Sequence, residues 1–158
     1  MVVTTNKYLH NAIGTEHIEA DAITNAKGDA NQPKHLCFLY DFAALGGSAG
    51  ALTLTDNAGA AQTIPDNAVI TEVVIEGITD NTSGGSATIA LGYTGVAAGF
   101  LAATAFDNAI WDVNAVTVGA PVAATGKTTA EVSVLATVAT ADLTAGKWQV
   151  WVTYYEGA

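Results

Sequence analysis

From Leu36 onward the dominant pattern along the chain is alternation of apolar and polar positions. It is clearest at residues 68–78, where Val69, Thr71, Val73 and Ile75 fall on one side and Ile70, Glu72, Val74 and Glu76 on the other. Strand side chains alternate with a period of two, so the two carboxylates mark the wetter face. Residues 130–139 repeat the pattern, with Val132, Val134, Ala136 and Val138 on one side. The same reading predicts strands at 36–45, 51–55, 86–93 and 148–155, and a weaker one at 115–122. The Ala-rich stretch 96–104 reads as a short helix, and residues 16–22 as one helical turn. Gly, Asn and Asp clusters punctuate the strands: 46–50, 56–59, 65–67, 80–85 and 143–147.

Seven or eight short strands separated by such turns predict an all-β fold, an antiparallel β-sandwich of jelly-roll-like type. Long amphipathic helices between strands, which an α/β fold needs, are missing from the pattern. Residues 1–35 differ: they hold all three His and three of the five Lys, with short polar stretches and few large apolar anchors. The domain reading is therefore an extended N-terminal arm over 1–35 and a β-sandwich domain over 36–158.

Composition narrows the partners. Charged residues are 13% of the chain, against about 25% in ordinary soluble domains, so Thr, Asn, Ser and Gly must cover the surface. Such a neutral, hydrogen-bonding surface suits a protein that meets other proteins over broad faces. Fifteen acids against five Lys and no Arg give a net charge of −10. Nucleic-acid binding needs cations to displace counterions from phosphate, so it is excluded, and anionic membrane surfaces with it. The N-terminus lacks the apolar segment of a signal peptide, and no apolar run approaches the roughly 20 residues that span a bilayer. Cys37 is the only cysteine and sits among Leu36, Phe38 and Leu39, which predicts a buried structural thiol.

No motif carries catalysis. Gly46-Gly47-Ser48-Ala49-Gly50 matches the G-x-S-x-G nucleophile elbow, but that elbow turns a strand into a helix, and here a strand pattern follows. All three His also precede Ser48, so a flexible loop is the plainer reading. His10, His17 and His35 have no zinc spacing. Asp80, Asp107 and Asp112 are the best calcium candidates, yet turn chemistry accounts for them. Asn81-Thr82-Ser83 fits a glycosylation sequon and reads as a loop, and Gly92, Gly95 and Gly99 lack dinucleotide spacing. The expectation is no enzyme, no cofactor and no metal.

The final strand is more informative. Alternation puts Trp148, Val150, Val152 and Tyr154 on one face and Trp151 and Tyr155 on the other. Aromatics on both faces mean either a central strand covered on both sides or an outer face that meets a partner, where Trp and Tyr are enriched.

Several segments together resemble small virion proteins of tailed phages. They are Ile64-Pro65-Asp66-Asn67-Ala68-Val69-Ile70-Thr71, Ala87-Thr88-Ile89-Ala90-Leu91-Gly92, and Leu143-Thr144-Ala145-Gly146-Lys147 leading into residues 148–155. The resemblance covers about residues 64–155 and carries over no catalytic residue. It implies a capsid decoration (cement) protein on the outer capsid surface of the virion, made in the bacterial host cytoplasm. Its partners would be the major capsid protein and copies of itself, trimeric or otherwise oligomeric. The candidate interface residues are Tyr8, Leu9 and Ile13 on the arm, which would meet the shell, with Trp151 and Tyr155 on the sandwich, whose faces would meet neighbouring copies. The alternatives are a tail- or fibre-associated structural protein, or a carbohydrate-binding β-sandwich module in which Trp111, Trp148 and Trp151 stack on sugars.

Overall fold

The fold is that of a computed structural model, which describes residues 32–119 and 126–157. The chain divides into two units, Met1–Gln32 and Pro33–Ala158, and every described element belongs to the second. The expected helical turn at 16–22 lies outside the described residues.

Among the described residues nine strands form two antiparallel sheets. In chain order they are β1 (Lys34–Asp41), β2 (Gly50–Thr53), β3 (Thr63–Ile64), β4 (Ala68–Ser83), β5 (Thr88–Tyr93), β6 (Val96–Ala105), β7 (Val116–Gly119), β8 (Val132–Ala139) and β9 (Leu143–Glu156). A single helical turn, α1 (Phe42–Leu45), follows β1, and a 3-10 turn spans Ala109–Trp111. One sheet has the order β1-β9-β4-β7 and the other β2-β8-β5-β6, with β3 also paired to β8. The chain changes sheet at nearly every connection, and only β2–β3 and β5–β6 stay within one. All these pairings are antiparallel, so the unit is an all-β antiparallel sandwich, as the sequence predicts.

The inner faces supply one continuous core. Phe38, Val73, Ile75, Trp148, Val150 and Val152 from the first sheet meet Ile89, Leu91, Val134, Ala136 and Val138 from the second. Trp148 anchors one end: it stacks on Tyr40 with centroids 4.8 Å apart and meets Trp111 at 5.2 Å. The Trp111 indole N–H donates to the Ala105 carbonyl at 3.1 Å, which satisfies its one polar atom in the core.

Several predicted elements change on folding. Residues 96–104 form a strand, not a helix: a turn at Thr94 and Gly95 (φ +88°) folds β6 back on β5 and buries Phe100. Pairing and burial outweigh the helix preference of Ala, which is a weak prior. The predicted strand 36–45 stops at Asp41, whose side chain accepts from the Ala43 amide at 2.9 Å and starts α1. β4 continues through Asp80-Asn81-Thr82-Ser83, expected to be loop, and β9 begins at Leu143, inside an expected turn. A bulge at Thr71 reverses the parity of β4. Val69 therefore shares the outer face with Val74 and Glu76, while Ile70 joins Val73 and Ile75 inside.

Candidate functional site

β9 is a central strand, flanked by β1 and β4, and its inner residues Trp148, Val150, Val152 and Tyr154 are buried. Its outer residues are different. Trp151 is 40% exposed and Tyr155 37%, large apolar side chains left open to solvent on the outer side of the sheet. Register then fixes their neighbours. Trp151 lies between Cys37 of β1 and Val74 of β4, and Val74 faces Val118 of β7. One strand period away, Gln149 lies between Leu39 and Glu76, and Glu76 faces Val116. On the other side, Thr153 lies between His35 and Glu72.

The outer face thus carries an apolar row, Cys37–Trp151–Val74–Val118, with one carboxylate-bearing row on each side. Rows two residues apart along a strand are separated by about 7 Å. Glu76 is tied into the face: its Oε2 accepts from Gln149 Nε2 at 2.5 Å and from Trp151 Nε1 at 3.4 Å. These bonds fix the indole against the sheet and leave its ring surface open. Val116 and Val118, each 67% exposed, extend the apolar surface to the edge strand β7.

Cys37 corrects its prediction: it is half-buried on this outer face, not in the core. Its thiol is directed at Gln149 Oε1 (3.5 Å) and Asn57 Oδ1 (3.7 Å). Burial pushes its pKa up; the Asn57 contact opposes this and the nearby Glu76 charge adds to it. A thiol held neutral in this way is a poor nucleophile.

The remaining candidates scatter. Ser48 lies in the loop between α1 and β2, exposed, with a helical turn before it and a strand after it, the reverse of a nucleophile elbow. His35 Nδ1 is 3.1 Å from the Thr153 hydroxyl. Asp80 accepts from the Val113 amide at 2.7 Å, so it fastens a loop to β4. No group of three or more metal-ligating side chains occurs among the described residues. Trp111 and Trp148 are 1% and 0% exposed, which removes two of the three rings proposed to stack on sugar. His10, His17, Tyr8, Leu9 and Ile13 lie outside the described residues. The sequence singled out Trp151 and Tyr155 but not Val116 and Val118. Their signal was the Val-Thr-Val triplet at 116–118, whose valines alternate outward onto a face that Trp151 already marked.

The sandwich has known counterparts. Similar chains occur in three phage capsid structures. One is described as the cyanophage Pam1 capsid asymmetric unit; it matches at TM-score 0.55 and 18% identity, over 92% of this chain and 99% of that one. A second belongs to the acidic stable capsid structure of Helicobacter pylori bacteriophage KHP30 (TM-score 0.53, 18% identity, 80% and 89% covered). The third belongs to the capsid of Ralstonia phage GP4 (TM-score 0.54, 19% identity, 83% and 88% covered). At these identities the likeness is one of fold. No protein-family model matches the chain, and no curated protein matches it.

Proposed function

We propose that this chain is a structural protein of a phage virion and, more finely, a capsid decoration protein that binds the outside of the assembled head. The observation that carries the reading is the fold match: three phage capsid structures each contain a chain that follows this sandwich over most of its length. The chemistry agrees. The charge of −10 opposes a role on the packaged genome, the surface is poor in charge, and among the described residues one sheet face carries an exposed apolar row. The partners in this reading are the major capsid protein and further copies of the chain, as a trimer or another closed oligomer. The function is mechanical: a protein that binds only the assembled shell stabilises it by mass action.

The test is co-sedimentation of the purified protein with heads assembled without it, followed by imaging of the decorated heads. Saturable binding to the outer surface is expected. Finding the protein in purified tails with none on heads would overturn the reading in favour of a tail protein.

A further inference from the structure

Among the described residues five large apolar side chains are exposed: Val113, Val116, Val118, Trp151 and Tyr155. Four of them lie on the outer face of the β1-β9-β4-β7 sheet. The exposed residues of β2 and β6 in the opposite sheet are small: Gly50, Ala51, Thr53, Ala97, Ala98, Ala102, Ala103 and Ala105. The apolar row through Trp151 has a carboxylate on each side, Glu72 and Glu76. The ion pairs of the first sheet lie elsewhere, at Lys147–Asp41 and Lys34–Glu156. Neither Glu72 nor Glu76 meets a cation among the described residues.

We propose that this face is the docking surface for the shell. It would fit a folded partner surface that offers an apolar recess to Trp151 and Val118, bordered by Lys or Arg side chains for Glu72 and Glu76. The inference rests on the decoration reading above and adds the surface and the chemistry of its partner.

Charge decides the occupant. A second copy docked face to face would be related by a two-fold axis lying between the sheets. If that axis runs along the apolar row, Glu72 meets Glu76 of the other copy. If it runs along β4, each carboxylate meets its own counterpart; if it runs along β9, Glu72 meets His35 and Glu76 meets Leu39 of the other copy. The first two press uncompensated carboxylates together beside an apolar contact, in a chain already at −10, and none of the three gives Glu76 a cation. A cationic rim removes that conflict and gives both glutamates a cation. Trp151 is already oriented by its bond to Glu76, so little rotamer freedom is lost on docking. The same chemistry excludes nucleic acid and anionic membranes as occupants.

The experiment uses the full chain and heads assembled without it, and measures binding across a range of NaCl concentrations. Two variants are compared with the original: Trp151→Ala, and the double variant Glu72→Gln with Glu76→Gln. Circular dichroism and melting confirm that each is folded. Trp151→Ala is expected to weaken head binding about 30-fold or more, as truncation of a central aromatic anchor does. The double variant is expected to bind more weakly at low salt and to show a flatter salt dependence, because its charges are no longer there to be screened. An Ala98→Ser control on the opposite sheet should bind like the original. If both variants bind heads as the original does, the docking surface is wrong while the decoration reading stands. If Trp151→Ala instead dissociates an oligomer of the free protein and leaves head binding intact, the face belongs to a second copy and the proposal falls. If the original chain does not bind heads at all, the decoration reading falls first and takes this one with it.

Discussion

Gly77 shows how one residue holds two elements together. It lies in β4 beneath the loop that follows the 3-10 turn, and a Cβ there would stand 2.1 Å from the Asp112 carbonyl oxygen. Its N–H donates to the Ala115 carbonyl, and its own carbonyl accepts from the Asn114 amide, both at 2.9 Å. The loop cannot retreat without breaking both bonds and lifting Trp111 from the core. Gly77→Ala should therefore cost about 1–3 kcal/mol or more, read as a lower urea midpoint. A midpoint equal to the original's would show that the loop yields freely. Asp41 carries a different kind of information. Its carboxyl lies 2.8 Å from the Lys147 ammonium, and it accepts from the Ala43 amide; the Lys147 hydrogen bond, then the Ala43 one, hold its pKa below the ordinary carboxylate value. A folded pKa below the unfolded one means that the group's stabilisation is fully present above the unfolded value, about 3.9, and is lost as pH falls through the folded value. Asp41→Asn keeps the cap and removes the charge. Its stability deficit should therefore be visible near neutral pH, close in acid, and shrink in high salt because the pair is half-exposed. A deficit that stays constant down to the lowest pH would assign the loss to something other than the ion pair.

At the scale of elements, β9 carries a buried and an exposed tryptophan three positions apart. Trp148 is fully buried between Tyr40 and Trp111, and Trp151 projects from the other face. Trp148→Ala should cost about 3–5 kcal/mol of stability, whereas Trp151→Ala should cost less than about 1 kcal/mol, as exposed positions do. Equal losses in a denaturation series would mean that the two faces of β9 are not distinct. This strand was legible in the sequence because its alternation runs unbroken from Trp148 to Tyr155, and the same holds for β8 from Val132 to Val138. β4 was legible only in part. Alternation was read straight through Thr71, but the bulge there flips the parity, and a bulge depends on the partner strand rather than on local pattern. β6 was misread because its alanines favour helix in isolation, and only the pairing with β5 and the burial of Phe100 decide otherwise. The candidate site was half legible for the same reason. Trp151 and Tyr155 stand out within one strand, but their union with Cys37, Val74 and Val118 exists only through register across four strands.

At the scale of the whole molecule, the buried core and every described strand belong to the unit Pro33–Ala158. A chain of residues 33–158 should therefore fold alone, with a β-type far-ultraviolet spectrum and a cooperative melt. Dominant helix, or no transition, would refute the assignment of the core to this unit. What such a unit can do for a shell follows from linkage. A ligand that binds only the intact shell raises its stability by RT ln(1 + [L]/Kd) per site, about 2.7 kcal/mol when the free concentration is 100 times Kd. Heads assembled without the protein should form normally but rupture at a lower temperature or under milder osmotic shock. Added protein should raise the rupture temperature slowly, with the logarithm of its free concentration, after the sites have filled. Salt should weaken the effect if carboxylate–cation pairs border the docked face, because exposed pairs are screened within about 8 Å at physiological ionic strength. Decorated heads that rupture at the same temperature as bare ones would separate binding from stabilisation. The protein would then be a surface adduct of the head rather than a brace for it.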